Sequence, residues 1–380
     1  IYLVNRGHDA GPAIDQAIAG YESALALDPT MLWALNEQCA TFMMRGTREA
    51  WLGIDPGRSF EQALSRCGRA TVLDPDFMLP NVGLIEAHLF DAERLVAAGR
   101  SPQAAVARGL LAVSAAEKKY PTWPLIPYWR VAFHRAEAEY AIASGEDPGA
   151  ALGRAGASEA RLVTLGDSLS DAAGALGEIA LVTAEAQLVR LETAPGIPGA
   201  SPALEAALGR AREAFTSAQA EAPWDIVGAC WLARTLLAEL RYRSLLGQGT
   251  LAQGEAALAP LEPFLAEPRV DPRLYGIAAR VHEARAALRD HLGQDPTADL
   301  DSGIALAERA VAVGPGIETG RAALGRLCLL RARAERDPAQ KKQWARRAEQ
   351  ALAAAVGASP LLGRTHATLL GEASRLAARD

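Results

Sequence analysis

The sequence is short of lysine, aromatics, cysteine and long apolar runs, and each shortage narrows what the chain can be. Lysine occurs four times in 380 residues, at Lys118, Lys119, Lys341 and Lys342, so the positive charge is almost all arginine. With 39 basic against 45 acidic residues the net charge is -6, which offers phosphate or anionic lipid no general attraction, so nucleic acid is not expected as a partner. Cys39, Cys67, Cys230 and Cys328 form no CxxC pair. That argues against zinc, an iron–sulfur cluster or a disulfide framework, and fits a reducing, cytoplasmic setting without metal or cofactor. No apolar run reaches the roughly eighteen residues that span a bilayer, so no membrane insertion is expected. The chain starts at Ile1 rather than Met, and its first six residues read as the tail of a cut helix, so it is expected to be a fragment with sequence preceding it.

What is abundant is alanine and leucine, in a chain that is 50% hydrophobic with 6% aromatics. Such a composition suits packed amphipathic helices, and the expected class is all-α. A frame organises it. Ala63, Cys67, Ala70 and Pro75 return as Ala17, Tyr21, Ala24 and Pro29, as Ala211, Phe215, Ala218 and Pro223, and as Ala348, Leu352, Ala355 and Pro360. A second marker sets the period, because Gly7, Gly53, Gly99 and Gly145 are 46 residues apart and Gly247 and Gly293 repeat the interval. After most of these glycines comes Asp-Pro or Ser-Pro, as at Asp55-Pro56, Ser101-Pro102, Asp147-Pro148 and Asp295-Pro296. Glycine ends one helix, Asp or Ser caps the next, and proline occupies its first turn. Nine and ten residues past each closing proline a large residue stands beside a small one, as in Leu176-Gly177 and Leu324-Gly325, which lets helices approach closely. The register fails at Gln38-Cys39 and Arg130-Val131.

These features predict about eight antiparallel helix pairs in one continuous array over 1–380, each packed on its neighbours. Irregular joints are expected at 194–202, where Ala194 to Pro202 reads APGIPGASP, and at 258–272, where Pro260 and Pro263 would interrupt a helix.

The Ala/aromatic/Ala/Pro frame, followed by Leu and a small residue, resembles the tetratricopeptide repeat (TPR) over nearly the whole chain, with units longer than that family's usual 34 residues. The resemblance implies a right-handed superhelical solenoid that binds a peptide or partner protein on its concave face. The long, Arg-rich form also resembles repeat regions C-terminal to the kinase domain of bacterial serine/threonine kinases, which implies a docking or regulatory role in a larger signalling protein. No kinase motif is present: no Gly-rich loop, no HRD and no DFG.

No catalytic constellation emerges, so no enzyme activity is expected of this stretch. His282-Glu283 opens like a zincin motif, but Ala286 stands where the second histidine would be. Three patches are candidates for partner binding. Tyr120, Trp123, Tyr128 and Trp129 gather aromatics and prolines at one junction between units, either as a partner surface or as a plug between helix pairs. His88 and His134 are 46 residues apart and share one register position, either as a metal pair, against which it counts that no acidic or cysteine ligand recurs with them, or as a pH-sensitive contact, or as packing residues with one polar tip. The segment 331–347, with Arg331, Lys341, Lys342 and Arg346 among seven basic residues against Glu335 and Asp337, carries a local charge of +5 that could meet an acidic partner or form a solvated face.

Overall fold

The computed structural model describes residues 6–123, 125–165, 170–193, 199 and 201–378. Among them are seventeen helices and no strand. Pro124, the unit boundary near Asp167, most of the Ala194 to Pro202 loop and the first five residues lie outside the described residues. The chain divides into two compact units. One comprises Asp9–Ala141 with Asp147–Ala172, here the N-terminal unit. The other comprises Ala173–Asp380 with Ile1–His8 and Ile142–Glu146, here the C-terminal unit.

The helices are α1 (Gly11–Leu27), α2 (Leu32–Leu52), α3 (Gly57–Leu73), α4 (Met78–Ala97), α5 (Gln103–Lys119), α6 (Leu125–Ser144) and α7 (Gly149–Leu165). They continue with α8 (Ser170–Thr193), α9 (Pro202–Glu221), α10 (Ile226–Leu245), α11 (Leu251–Leu258), α12 (Glu262–Leu265), α13 (Pro272–His291), α14 (Thr297–Val313), α15 (Glu318–Ala334), α16 (Pro338–Ala358) and α17 (Leu362–Ala378).

The boundaries follow the expected chemistry. Gly53 closes α2 with φ +75°, a left-handed conformation that a side chain would strain. Two residues on, Asp55 Oδ1 accepts the Gly57 N–H at 3.0 Å, and the same Asp-x-N–H bond recurs at Asp147, Asp295 and Asp337. Helix α3 then buries Phe60, Ala63, Cys67 and Ala70, one stripe at helical spacing. The proline turns are tied to the next repeat: Arg69 donates to the Pro29 carbonyl at 3.0 Å, and Arg161 to that of Pro121 at 3.3 Å. Around Pro260 and Pro263 the helix is broken into α11 and the single turn α12, since proline removes a backbone donor and crowds the preceding turn.

The large-beside-small register explains close packing. A Cβ on Gly177 would stand 2.8 Å from the Phe215 ring, and one on Gly325 would stand 2.6 Å from Leu352. These glycines receive the central side chain of the repeat frame. At Gly83 the slot is filled differently, by the sulfurs of Cys67 and Cys39. Those two cysteines form a disulfide with a Cα–Cα distance of 5.5 Å, which corrects the expectation that the cysteines are unpaired. The absence of CxxC said nothing about a helix hairpin, where residues 28 apart on α2 and α3 meet side by side. The bond also removes the support that unpaired cysteines lent to a reducing, cytoplasmic setting. Cys230 and Cys328 are free and buried, and burial pushes both thiols up, Cys328 to about 12.

Alternate helices pack side by side as well as against their sequence neighbours. In the C-terminal unit α10, α13, α15 and α17 form one inner row, backed by α11, α12, α14 and α16. No described helix is long and apolar enough to cross a membrane.

Candidate functional site

The inner row of the C-terminal unit carries a column of arginines. Arg234 on α10, Arg280 on α13 and Arg326 on α15 are each 46 residues apart, the interval of the glycine marker, and so share one register position. Arg241 and Arg333 lie two turns further along α10 and α15.

Four of these five guanidiniums have a carboxylate partner. Arg234 holds Glu185 of α8 through two bonds of 2.8 and 2.5 Å, and Arg241 holds Glu192 at 2.6 and 2.7 Å. Arg326 donates to Glu283 at 2.7 Å and to His366 Nε2 at 3.0 Å. Arg333 is bidentate on Glu372, at 2.8 and 2.6 Å. The half-buried Arg280 makes no hydrogen bond or ion pair with any described residue. Burial pulls its guanidinium down to about 10, and the like charges of Arg241 and Arg326 add to the effect. Its cationic form persists at neutral pH, with the field of Glu185, which is bonded to Arg234, opposing the shift but no carboxylate in contact with it.

Arg280, Arg241, Arg326 and Arg333 line a cavity of about 610 Å³. Its remaining wall is mainly aliphatic, including Leu237, Leu329, Leu330 and Leu369, with Glu192 and Glu283 at the charged side. Thr319, Thr365 and the imidazole of His366 also line it, and no Phe, Tyr or Trp is among its described lining residues. Burial and the Arg326 charge lower the pKa of His366, which fits a neutral imidazole accepting from Arg326. Chemically the cavity offers an apolar container with one uncompensated cation.

Apart from Arg333 of the basic run 331–347, the residues singled out in the sequence lie elsewhere. The four aromatics do meet, in the N-terminal unit: Trp123 packs edge-on against Tyr120 at 5.8 Å and Trp129 at 5.0 Å, with Tyr128 6.4 Å from Trp129. Trp129 is 1% exposed, while the other three are half-buried and pack against its cluster. Tyr120 donates its hydroxyl to the Asp76 carbonyl at 3.0 Å. His134 is buried, with Nδ1 2.8 Å from Glu137. His88 is half-buried with Nδ1 unbonded, and burial followed by Arg108 lowers its pKa.

The basic run is dispersed by its neighbours. Arg331 faces Asp301 at 3.6 Å and Glu335 at 3.8 Å, and Arg347 pairs with Glu308 and lies 5.4 Å from the Trp344 ring. On α16, Lys341 and Lys342 are half-buried and Arg346 is exposed. The arginine column was missed although its signal is the same 46-residue interval, because glycine and proline defined the repeat and the charged positions were not aligned with them.

No protein-family model and no curated protein matches the sequence. Solved structures do match in fold. The human IFIT1 dimer with m7Gppp-AAAA aligns at a TM-score of 0.55 and 15% identity, over 97% of this chain and 69% of that one. The human IFIT1 dimer with PPP-AAAA aligns at a TM-score of 0.43 and 15% identity, over 85% and 70%. The chain has a TPR-like helical solenoid fold. These matches carry no link to serine/threonine kinases. The first of them overturns the exclusion of nucleic acid, because a helical-repeat protein of this fold is solved with m7Gppp-AAAA. The physical error lay in the net charge: a total of -6 describes the whole surface, whereas a ligand meets a local field, and the inner row concentrates arginine.

Proposed function

We propose that this chain is a binding scaffold whose C-terminal unit seats an anionic group of its ligand on Arg280. The observation that carries the reading is the pairing pattern: four guanidiniums of the column are answered by carboxylates and the central one is not, at the wall of a cavity. A half-buried cation without a partner is partly desolvated at a cost, and a bound carboxylate or phosphate supplies bidentate hydrogen bonds that offset it. In the N-terminal unit the half-buried rings of Trp123 and Tyr128 suit a contact with a protein partner. Docking within a larger signalling protein, kinase-linked or not, is the setting that the sequence resemblance suggests.

A second reading, that the anion is the phosphate end of an RNA, draws on the IFIT1 complex with m7Gppp-AAAA. Fluorescence anisotropy with 5′-triphosphorylated A4 RNA and with a leucine-rich peptide bearing one central aspartate tests both. Arg280→Gln should weaken whichever probe binds by about tenfold or more, the loss expected for a charge-assisted hydrogen bond. Unchanged affinity for every probe would contradict the proposal.

A further inference from the structure

The cavity also limits what kind of anion it can hold. The charged side is nearly balanced, since Arg234, Arg241, Arg326 and Arg333 are matched by Glu185, Glu192, Glu283 and Glu372, and the excess is one positive charge at Arg280. A ligand with several charges would set its second and third against Glu192 and Glu283, both of which line the cavity, and like charges in a partly desolvated site are strongly disfavoured. Apart from Thr319, Thr365 and the His366 ring, which Arg326 already engages, the rest of the wall is leucine and alanine without Phe, Tyr or Trp, so an aliphatic body is favoured over a stacked base or indole. A volume of about 610 Å³ falls within the range of small-molecule sites, roughly 300–1,000 Å³.

Building on the anion-seating reading above, we infer that the cavity of the C-terminal unit binds a small organic monoanion, one acidic head on an aliphatic body, with the head on Arg280 and the body against Leu237, Leu329, Leu330 and Leu369. The head accepts a two-point hydrogen bond from the guanidinium, as the paired carboxylates of the column already do. Glu283 acts as a selectivity element: by occupying Arg326 it keeps the cavity to one charge.

Isothermal titration of the full chain with decanoate, decyl sulfate, decanol, decanedioate and 5′-triphosphorylated A4 RNA tests the class of ligand. Decanoate or decyl sulfate should bind at least about tenfold tighter than decanol, the ratio of the two identifying the head. Affinity for the preferred anion should fall with salt with a logarithmic slope near one, and Arg280→Gln should reduce it to that of decanol. Circular dichroism melting verifies that this variant is folded. Glu283→Gln supplies an independent arm, since freeing Arg326 should raise the affinity for decanedioate severalfold. Equal affinities for decanoate, decyl sulfate and decanol would overturn the inference, as would indifference of the preferred anion to Arg280→Gln. RNA binding that depends on Arg280, without decanoate or decyl sulfate binding, overturns the monoanion class and leaves the anion-seating reading intact. If no probe depends on Arg280, both fall.

Discussion

The two units are made from one repeat, and each leaves a half-buried arginine without a carboxylate, Arg66 in the N-terminal unit and Arg280 in the C-terminal one, but of the two it is Arg280 that lines the cavity. In the N-terminal unit the buried Arg135 is held by both Glu93 and Glu139, Arg130 by Glu117, and Arg154 by Glu137, while the Cys39–Cys67 disulfide and the Trp129 cluster fill the slots between helices. The C-terminal unit repeats the same kind of ion pair four times and then leaves Arg280 open at a cavity. A repeat becomes a site where its own pairing stops short at a cavity. Closed pairs of this sort add little net stability, since desolvation offsets most of their attraction, but they fix the geometry around the open one.

The widest test of that contrast is removal of the plug. Trp129→Ala in the N-terminal unit should destabilise it by about 3–5 kcal/mol in urea unfolding while leaving anion affinity unchanged. A loss of anion binding in the folded variant would break the separation of roles. Next in size is the staple: Cys39→Ser with Cys67→Ser, or reduction of the native chain, should cost about 2–4 kcal/mol, the range for closing a loop of this order. Equal unfolding midpoints with and without reductant would remove the disulfide from the account.

How much of this could be read from residue order depends on how far apart the partners are. Helices and turns were legible because Gly53, Asp55 and Pro56 act on the backbone within a few residues of themselves. Helix contacts were partly legible, since Leu176-Gly177 and Leu324-Gly325 lie in register with the frame. The site was not legible as a site. Arg280 is distinguished only by lacking what Arg234 and Arg326 have, and that emerges once α8, α10, α13 and α15 stand together. The pairing within the basic run 331–347 was not legible for the same reason, because Asp301, Glu308 and Glu372 come from other helices. The disulfide needed the α2–α3 hairpin.

A smaller effect concerns Glu318, at the first turn of α15, whose carboxyl is pushed up by burial to about 7 from an ordinary 4.5. A folded-state value above the unfolded one means the native state holds the proton longer. The contribution to stability is therefore present below about 4.5 and is lost as pH rises through about 7. Glu318→Gln should be less sensitive than the native chain across this window, by about 1–2 kcal/mol between pH 5 and 8 in urea unfolding. Parallel pH profiles would rule the group out. Smallest of all, Glu283→Gln should tighten binding of a monoanion about two- to fivefold, below 1 kcal/mol, by relieving the negative charge beside Arg280. A weaker affinity would mean that Glu283 helps hold the ligand rather than limiting it.

The central claim is tested most directly by watching the arginines themselves. In an Nε–Hε correlation spectrum of the ¹⁵N-labelled chain, with Arg280 assigned by its disappearance in Arg280→Gln, decanoate is added stepwise. The Arg280 resonance should shift and saturate while that of Arg135, closed by Glu93 and Glu139, stays in place. A stationary Arg280 signal, or equal shifts at the two residues, would contradict the claim that the open cation of the C-terminal unit is where the ligand is held.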